Sequence, residues 1–284
     1  MSDGRDGNQV FTAQQAQMQG FSTRNVLRDD FGMEVPVESV PLPSEGKVYP
    51  PDSSAYSRET VEIKAMTAKE EDILTSRALI KKGTVISELI RSCLVDKSIN
   101  VDSLIVGDRN ALMTAIRVTG YGSEYKVEVT CPECSEKSTN AFSLGELPIK
   151  RLQINPVAPG ENAFEFILPL TKKKVVFRFL TGKDELDINV EVERRKKAKL
   201  TSDVDNLVTN RLVYSIVSVD GITDRNKISS FIRNMPARDS QALRKYMDEN
   251  EPGIEMKSWM ECPHCLESSE VNLPIGASFF WPNS

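Results

Sequence analysis

The sequence predicts an α+β protein built from an internally duplicated strand–helices–hairpin unit, and three observations predict it. "CPEC" at 131–134 returns as "CPHC" at 262–265. "VEIKAMTAKEEDIL" at 61–74 returns as "VVFRFLTGKDELDI" at 175–188, with Thr67 matched by Thr181, Glu70 by Asp184 and Glu71 by Glu185. "DRNALMTAI" at 108–116 returns as "DSQALRKYM" at 239–247, and from there the two stretches run through the cysteines without a gap. Asp108 then pairs with Asp239, Ala111 with Ala242, Leu112 with Leu243, Gly122 with Gly253, Glu136 with Glu267 and Ser138 with Ser269. A register held over that length marks an internal repeat.

The expected organisation is an N-terminal arm and extended docking segment over 1–60, a first repeat over 61–150 and a second over 151–284. Residues 1 to about 35 are rich in Gln, Asp, Gly and Ser and carry few apolar groups, too few to offset the entropy of ordering. They read as a disordered or extended arm, with Phe11, Phe21, Val26, Leu27 and Phe31 as anchors that could order on a partner. Prolines at 36, 41, 43, 50 and 51 then break any helix, so "VPLPSEGKVYPPDSSAYS" is expected to lie extended over a surface.

Alternation of Val61, Ile63 and Ala65 gives a strand. Thr67 followed by Glu70 is a capping box, which opens a helix over "AKEEDILTSRALIKK" that Gly83 ends. A second helix, "TVISELIRSCLVD", aligns Val85, Leu89 and Cys93 on one stripe. A third begins at Asp108 and stops at "GYG", before the strand "EYKVEV" and the first Cys pair. In the second repeat "NRLVYSIVSVD" at 210–220 resembles "ELIRSCLVD", and the extra stretch at 188–206 reads as a solvated helix of mixed charge.

The Cys pairs carry the chemistry. A CxxC turn aims two sulfurs to one side, and a tetrahedral all-thiolate site needs four. "EYKVEV" and "STNAFSL" flank the first pair and "IEMKSWM" and "SEVNLPI" the second, which suits two hairpins of a zinc ribbon. Cys131, Cys134, Cys262 and Cys265 are thus the expected ligands of one Zn²⁺ shared between the repeats; iron also accepts four thiolates. Structural zinc supplies about 10–16 kcal/mol, against roughly 5 kcal/mol of chain entropy for closing so long a loop. Two half-sites completed by other subunits are the alternative arrangement. A redox role fits poorly, because a thioredoxin-type pair opens a helix and here a second strand follows. Four thiolates leave no position for water, so the ion is expected to be structural. His264 is expected to face solvent and Cys93 to be a small buried hydrophobe.

An enzyme is not expected. The chain has one histidine and no GxGxxG, Walker, GxSxG or HExxH motif. The acidic pairs in "KEEDI" and "KDELDI" sit at helix starts, where they complement the helix dipole. Tyr121, Tyr125 and Trp259 near the knuckles are expected to pack into the core or hairpins, with an interaction surface as the alternative. Nothing points to a small-molecule substrate. A net charge of −5 and a pI near 5.3 argue against nucleic acid, "ERRKKAK" at 193–199 being flanked by acidic residues. A zinc-ribbon nucleic-acid binder or transcription regulator remains the alternative reading, and a third, an unrecognised hydrolase, would need a pocket with perturbed carboxylates. No apolar run is long enough to span a membrane, and the N-terminus lacks the basic start and apolar core of a signal peptide. A reducing cytoplasm, with thiols or metal ligands rather than disulfides, is therefore the expected setting.

"VPLPSEGKVYP" followed by "VEIKAMTAKEEDIL" resembles the baseplate hub and hub-assembly proteins of T-even-like contractile-tailed phages, most clearly over 40 to about 150. The resemblance implies a structural component of the tail baseplate hub, or a factor that assembles it. It implies a virion location after assembly in the host cytoplasm, with other baseplate or tail proteins as partners. Residues 36–60 and the arm before them are expected to dock on such a partner.

Overall fold

A hairpin followed by a capped helix opens each half of the chain. The computed structural model describes residues 26–28, 32, 34–197, 207–275 and 279–280. In the first half β1 (Val26–Arg28) pairs with β2 (Glu34–Pro41), and β2 pairs antiparallel with β3 (Thr60–Lys64). The proposed anchors Phe11, Phe21 and Phe31 lie outside the described residues. The proline-rich stretch departs from the expected surface path. Its first part is β2, the middle strand of the three, with Pro36 facing Val26 and Pro41, its last residue, facing Thr60. The rest, from Leu42 to Ser57, runs through turns and buries Leu42, Ser44, Val48, Tyr49 and Ala55. Proline excludes a helix but not burial.

After β3 the helix expected over 68–82 is two helices, α1 (Ala68–Thr75) and α2 (Arg77–Lys82). Ser76 breaks them at ψ 105°, and the Thr75 hydroxyl donates back to the Glu71 carbonyl at 3.1 Å. Gly83, at φ 72°, closes α2 in the left-handed region. Next come α3 (Val85–Cys93), which buries Leu89, Ile90 and Cys93, and α4 (Val106–Tyr121), which starts two residues before Asp108. Helix α4 is buried along most of its length and forms the centre of the molecule. The first knuckle hairpin follows, β4 (Glu124–Thr130) with β5 (Lys137–Ser143), and then the short β6 (Ile149–Lys150).

In the second half β7 (Phe164–Ile167) pairs with β8 (Lys174–Phe177), which pairs with β9 (Ile216–Val219). Between β8 and β9 lie α5 (Gly182–Lys197) and α6 (Leu207–Ser215); residues 198–206 of the charged stretch lie outside the described residues. Then come α7 (Arg225–Asn234), α8 (Ala237–Asn250), β10 (Gly253–Ile254) and the second knuckle hairpin, β11 (Lys257–Glu261) with β12 (Ser268–Asn272). Among the described residues no helix is long and apolar enough to cross a membrane.

Matching residues make matching contacts. Glu70 accepts from the Thr67 amide at 2.9 Å, the Thr67 hydroxyl at 2.5 Å and Lys64 Nζ at 2.9 Å. Asp184 accepts from the Thr181 amide at 2.8 Å, the Thr181 hydroxyl at 2.7 Å and both Arg178 terminal nitrogens at 2.8 and 2.6 Å. At the start of α4, buried Asp108 accepts from the Ser44 amide and hydroxyl at 2.9 and 2.5 Å and from the Tyr49 hydroxyl at 2.6 Å. At the start of α8, buried Asp239 accepts from the Leu170 amide at 2.7 Å and from the Thr171 amide and hydroxyl at 3.0 and 2.7 Å. The residue after each hydroxyl, Glu45 or Lys172, has φ of 54° or 58°.

The halves meet around α4. β6 pairs with β10, Ile149 facing Ile254. The Val106 amide donates to the Leu180 carbonyl at 2.8 Å, and the Gly182 amide to the Leu104 carbonyl at 3.0 Å. Gly107 is required there, since a Cβ would lie 1.7 Å from the Pro252 carbonyl oxygen. Gly182 lets the Arg109 guanidinium lie flat on the chain, where a Cβ would meet it at 2.2 Å.

The Glu70 box carries a pH prediction. Burial alone would raise this carboxyl, but donation from Ser92, Thr67 and Lys64 outweighs it and holds the pKa at about 2. A depressed carboxyl contributes stability that is full above its ordinary value of 4.5 and is lost as pH falls towards 2. The contribution at neutral pH is about 3 kcal/mol. Denaturant titrations of wild type and Glu70→Gln should differ by about that much at pH 7 and converge between pH 4.5 and 2. A gap that is constant with pH would show that the charge is not what stabilises the box.

Candidate metal centre

Each knuckle is a tight turn between two strands. The Ser135 amide donates to the Cys131 carbonyl at 2.9 Å and the Cys131 amide to the Glu136 carbonyl at 2.9 Å. In the second, the Leu266 amide donates to the Cys262 carbonyl at 2.9 Å and the Cys262 amide to the Glu267 carbonyl at 3.0 Å. Ser135 and Leu266 hold φ of 62° and 60°, the left-handed step that lets the chain leave the turn. Both hairpins close at the same register, Thr130 facing Lys137 and Glu261 facing Ser268.

The inner faces of the hairpins bury Tyr125, Val127, Val129 and Phe142 on one side and Met260 and Val271 on the other. This packing brings all four expected sulfurs together. The Sγ atoms of Cys131, Cys134, Cys262 and Cys265 lie within 4.8 Å of one another and can hold a metal ion. Cys131 and Cys265 are 3.8 Å apart, and Cys134 and Cys262 3.7 Å. A disulfide needs about 2.05 Å, so these are not bonded pairs. A tetrahedron of thiolates at about 2.3 Å from a central ion has edges of about 3.8 Å, which the observed pairs match. Cys131 and Cys262 are buried, while Cys134 and Cys265 are partly exposed.

The electrostatics also suit a cation. Amides of Cys265 and His264 donate to the Cys262 sulfur and pull its pKa down to about 6. The Glu136 amide favours the Cys134 thiolate, but desolvation and the sulfurs of Cys262, Cys131 and Cys265 outweigh it and push that thiol up to about 12. Cys265 is raised as well, the Glu267 amide being outweighed by desolvation and neighbouring sulfurs. One thiolate forms readily and further ones resist, and a divalent cation at the centre would remove that resistance.

His264 is exposed at the tip of its knuckle. Cys93 is buried in α3, where desolvation pushes its thiol up to about 12 and leaves it unreactive. The aromatic expectation divides. Tyr125 is fully buried and donates to the Pro274 carbonyl at 2.6 Å, but Trp259 is 69% exposed and packs into neither core nor hairpin. Alternation along β11 sends Met260 inward and Trp259 outward, which the sequence could not show without knowing the covered face. A clasp beside the site had no sequence signal at all. Buried Arg117 of α4 donates to the carbonyls of Phe279 at 2.5 Å, Gly122 at 2.7 Å and Glu124 at 3.0 Å, tying the end of the described chain to the first half.

No curated protein and no solved structure matches the chain. A family model described as T4 bacteriophage base plate protein matches residues 36–281.

Proposed function

Because the chain belongs to the T4 bacteriophage base plate protein family, we propose that it is a structural, non-enzymatic part of the baseplate hub or a factor that assembles it. Its body is a duplicated module whose halves are stapled by one structural metal ion. The observation that carries the staple is the meeting of four sulfurs from two hairpins far apart in sequence. Cys131, Cys134, Cys262 and Cys265 would hold the ion, with zinc as the reading and iron as its competitor. The ion would supply fixed tetrahedral bonds between the halves and no reaction step. Duplication is supported by the paired carboxylates Glu70 and Asp184, Asp108 and Asp239, each bound to a hydroxyl and an amide at the matching place.

Membership of the family supports a place in the virion tail baseplate and contact with other phage tail proteins. We assign part of that contact to the arm before β2, which the family match leaves out. A nucleic-acid role is disfavoured by exposed Glu255, Glu261 and Glu267 around the second knuckle. The test is an infection in which this gene carries a stop codon, complemented in trans, with mass spectrometry of purified tails and of assembly intermediates. The chain should be present in intermediates at least, and intact baseplates should need it. Normal baseplates without it would contradict the reading.

A further inference from the structure

The second knuckle hairpin presents two large apolar side chains that its own fold does not use. Trp259 is 69% exposed and Leu266 73% exposed. Leu266 also sits at φ 60°, a region that is an outlier for a bulky side chain. The turn needs a left-handed residue there, but it does not need leucine. Ser135 fills the same place in the first knuckle at φ 62° and makes the same amide bond. At the position of Trp259 the first hairpin has Glu128, facing Thr139 as Trp259 faces Glu270. The metal centre and the hairpin are therefore built equally well without either apolar group.

The surroundings of the pair are acidic. Glu255, Glu261 and Glu267 are exposed and make no ion pair among the described residues. Lys257, on the strand that carries Trp259, is engaged by Glu270 at 3.3 Å, while Glu255 shares a cavity with Lys150, Arg244 and Lys245. Such a surface repels nucleic acid and anionic lipid, and two copies face to face would oppose like charges. Exposed tryptophan is enriched in binding hot spots, the strained leucine of the same hairpin is a second apolar group that the fold does not use, and the carboxylates call for cations opposite them.

We propose that the outer face of β11 and the tip of the second knuckle dock a protein partner that offers an apolar pocket for Trp259 and Leu266 and an Arg- or Lys-lined rim for Glu261 and Glu267. The proposal rests on the baseplate reading for the setting in which that partner is found. The test uses full-length chain and the baseplate assembly intermediates purified from the stop-codon infection, with co-sedimentation as readout. Trp259→Ser and Leu266→Asn should each weaken binding by about tenfold or more. Leu266→Asn should melt at or above the wild-type temperature, because asparagine tolerates the left-handed region. The double variant Glu261→Lys, Glu267→Lys should slow association and reverse its salt dependence, added salt now speeding it. Wild-type chain that fails to bind these intermediates overturns both this proposal and the baseplate reading. Wild-type binding that all three variants retain overturns this one alone, as does apolar-dependent capture by anionic vesicles or by a second copy in sedimentation velocity.

Discussion

Cys262→Ser is expected to abolish metal binding and to cost at least about 5 kcal/mol of stability. Cys262 is buried at the meeting of the two hairpins, and its sulfur lies 3.7 Å from Cys134 of the other half. Serine is a poor ligand for a soft thiolate site, and three remaining thiolates would repel one another around a weakened ion. A loss of that size approaches the whole stability of an ordinary domain. The second hairpin should then swing free, with fast hydrogen exchange over β11 and β12. Cys93→Ser is the control. It should lower stability through packing in α3 but leave the metal content unchanged, because Cys93 lies in the core of the first half and outside the sulfur cluster. Metal retained by Cys262→Ser, or lost by Cys93→Ser, would show that the ligand set is wrong.

Arg117→Met should cost about 4 kcal/mol without any loss of metal. The side chain is fully buried and donates to three backbone carbonyls, none of them charged. Methionine keeps most of the bulk and leaves those carbonyls without a donor. Phe279, which packs edge-on against Tyr125 with ring centres 5.4 Å apart, should detach first. Limited proteolysis should therefore clip the variant after β12 sooner than wild type, and denaturant unfolding should report the energy. A variant as stable as wild type would mean that water replaces the guanidinium at those carbonyls.

Local chemistry was legible in the sequence, as was the meeting of the two Cys pairs, but the strand partners within each sheet were not. The knuckles and the boxes at Thr67 and Thr181 depend on residues three or four apart, so a short phrase carries all the information they need. The strand partners β2 and β7 went unread for different reasons. Proline masked the first, and the second, "FEFI", is too short to show a period. Asp108 and Asp239 were aligned in the sequence, but their role was not visible. Each binds a hydroxyl more than sixty residues away, Ser44 or Thr171. The repeated phrase was present, "LPS" at 42–44 against "LPLT" at 168–171, and would have pointed to both loops. The break at Ser76 arises where Thr75 and Ser76 compete with the backbone for hydrogen bonds, a balance that helix propensity alone does not decide. Trp259 shows the limit most plainly, since alternation marks two faces and only the second half's packing tells which is covered.

The most direct measurement is native mass spectrometry of the purified chain with X-ray absorption at the metal edge. One zinc or iron per monomer, bound by four sulfurs at about 2.3 Å, is the expected result. Metal-free protein that is fully folded, two ions per chain, or a shell containing nitrogen or oxygen would contradict a single thiolate staple between the halves.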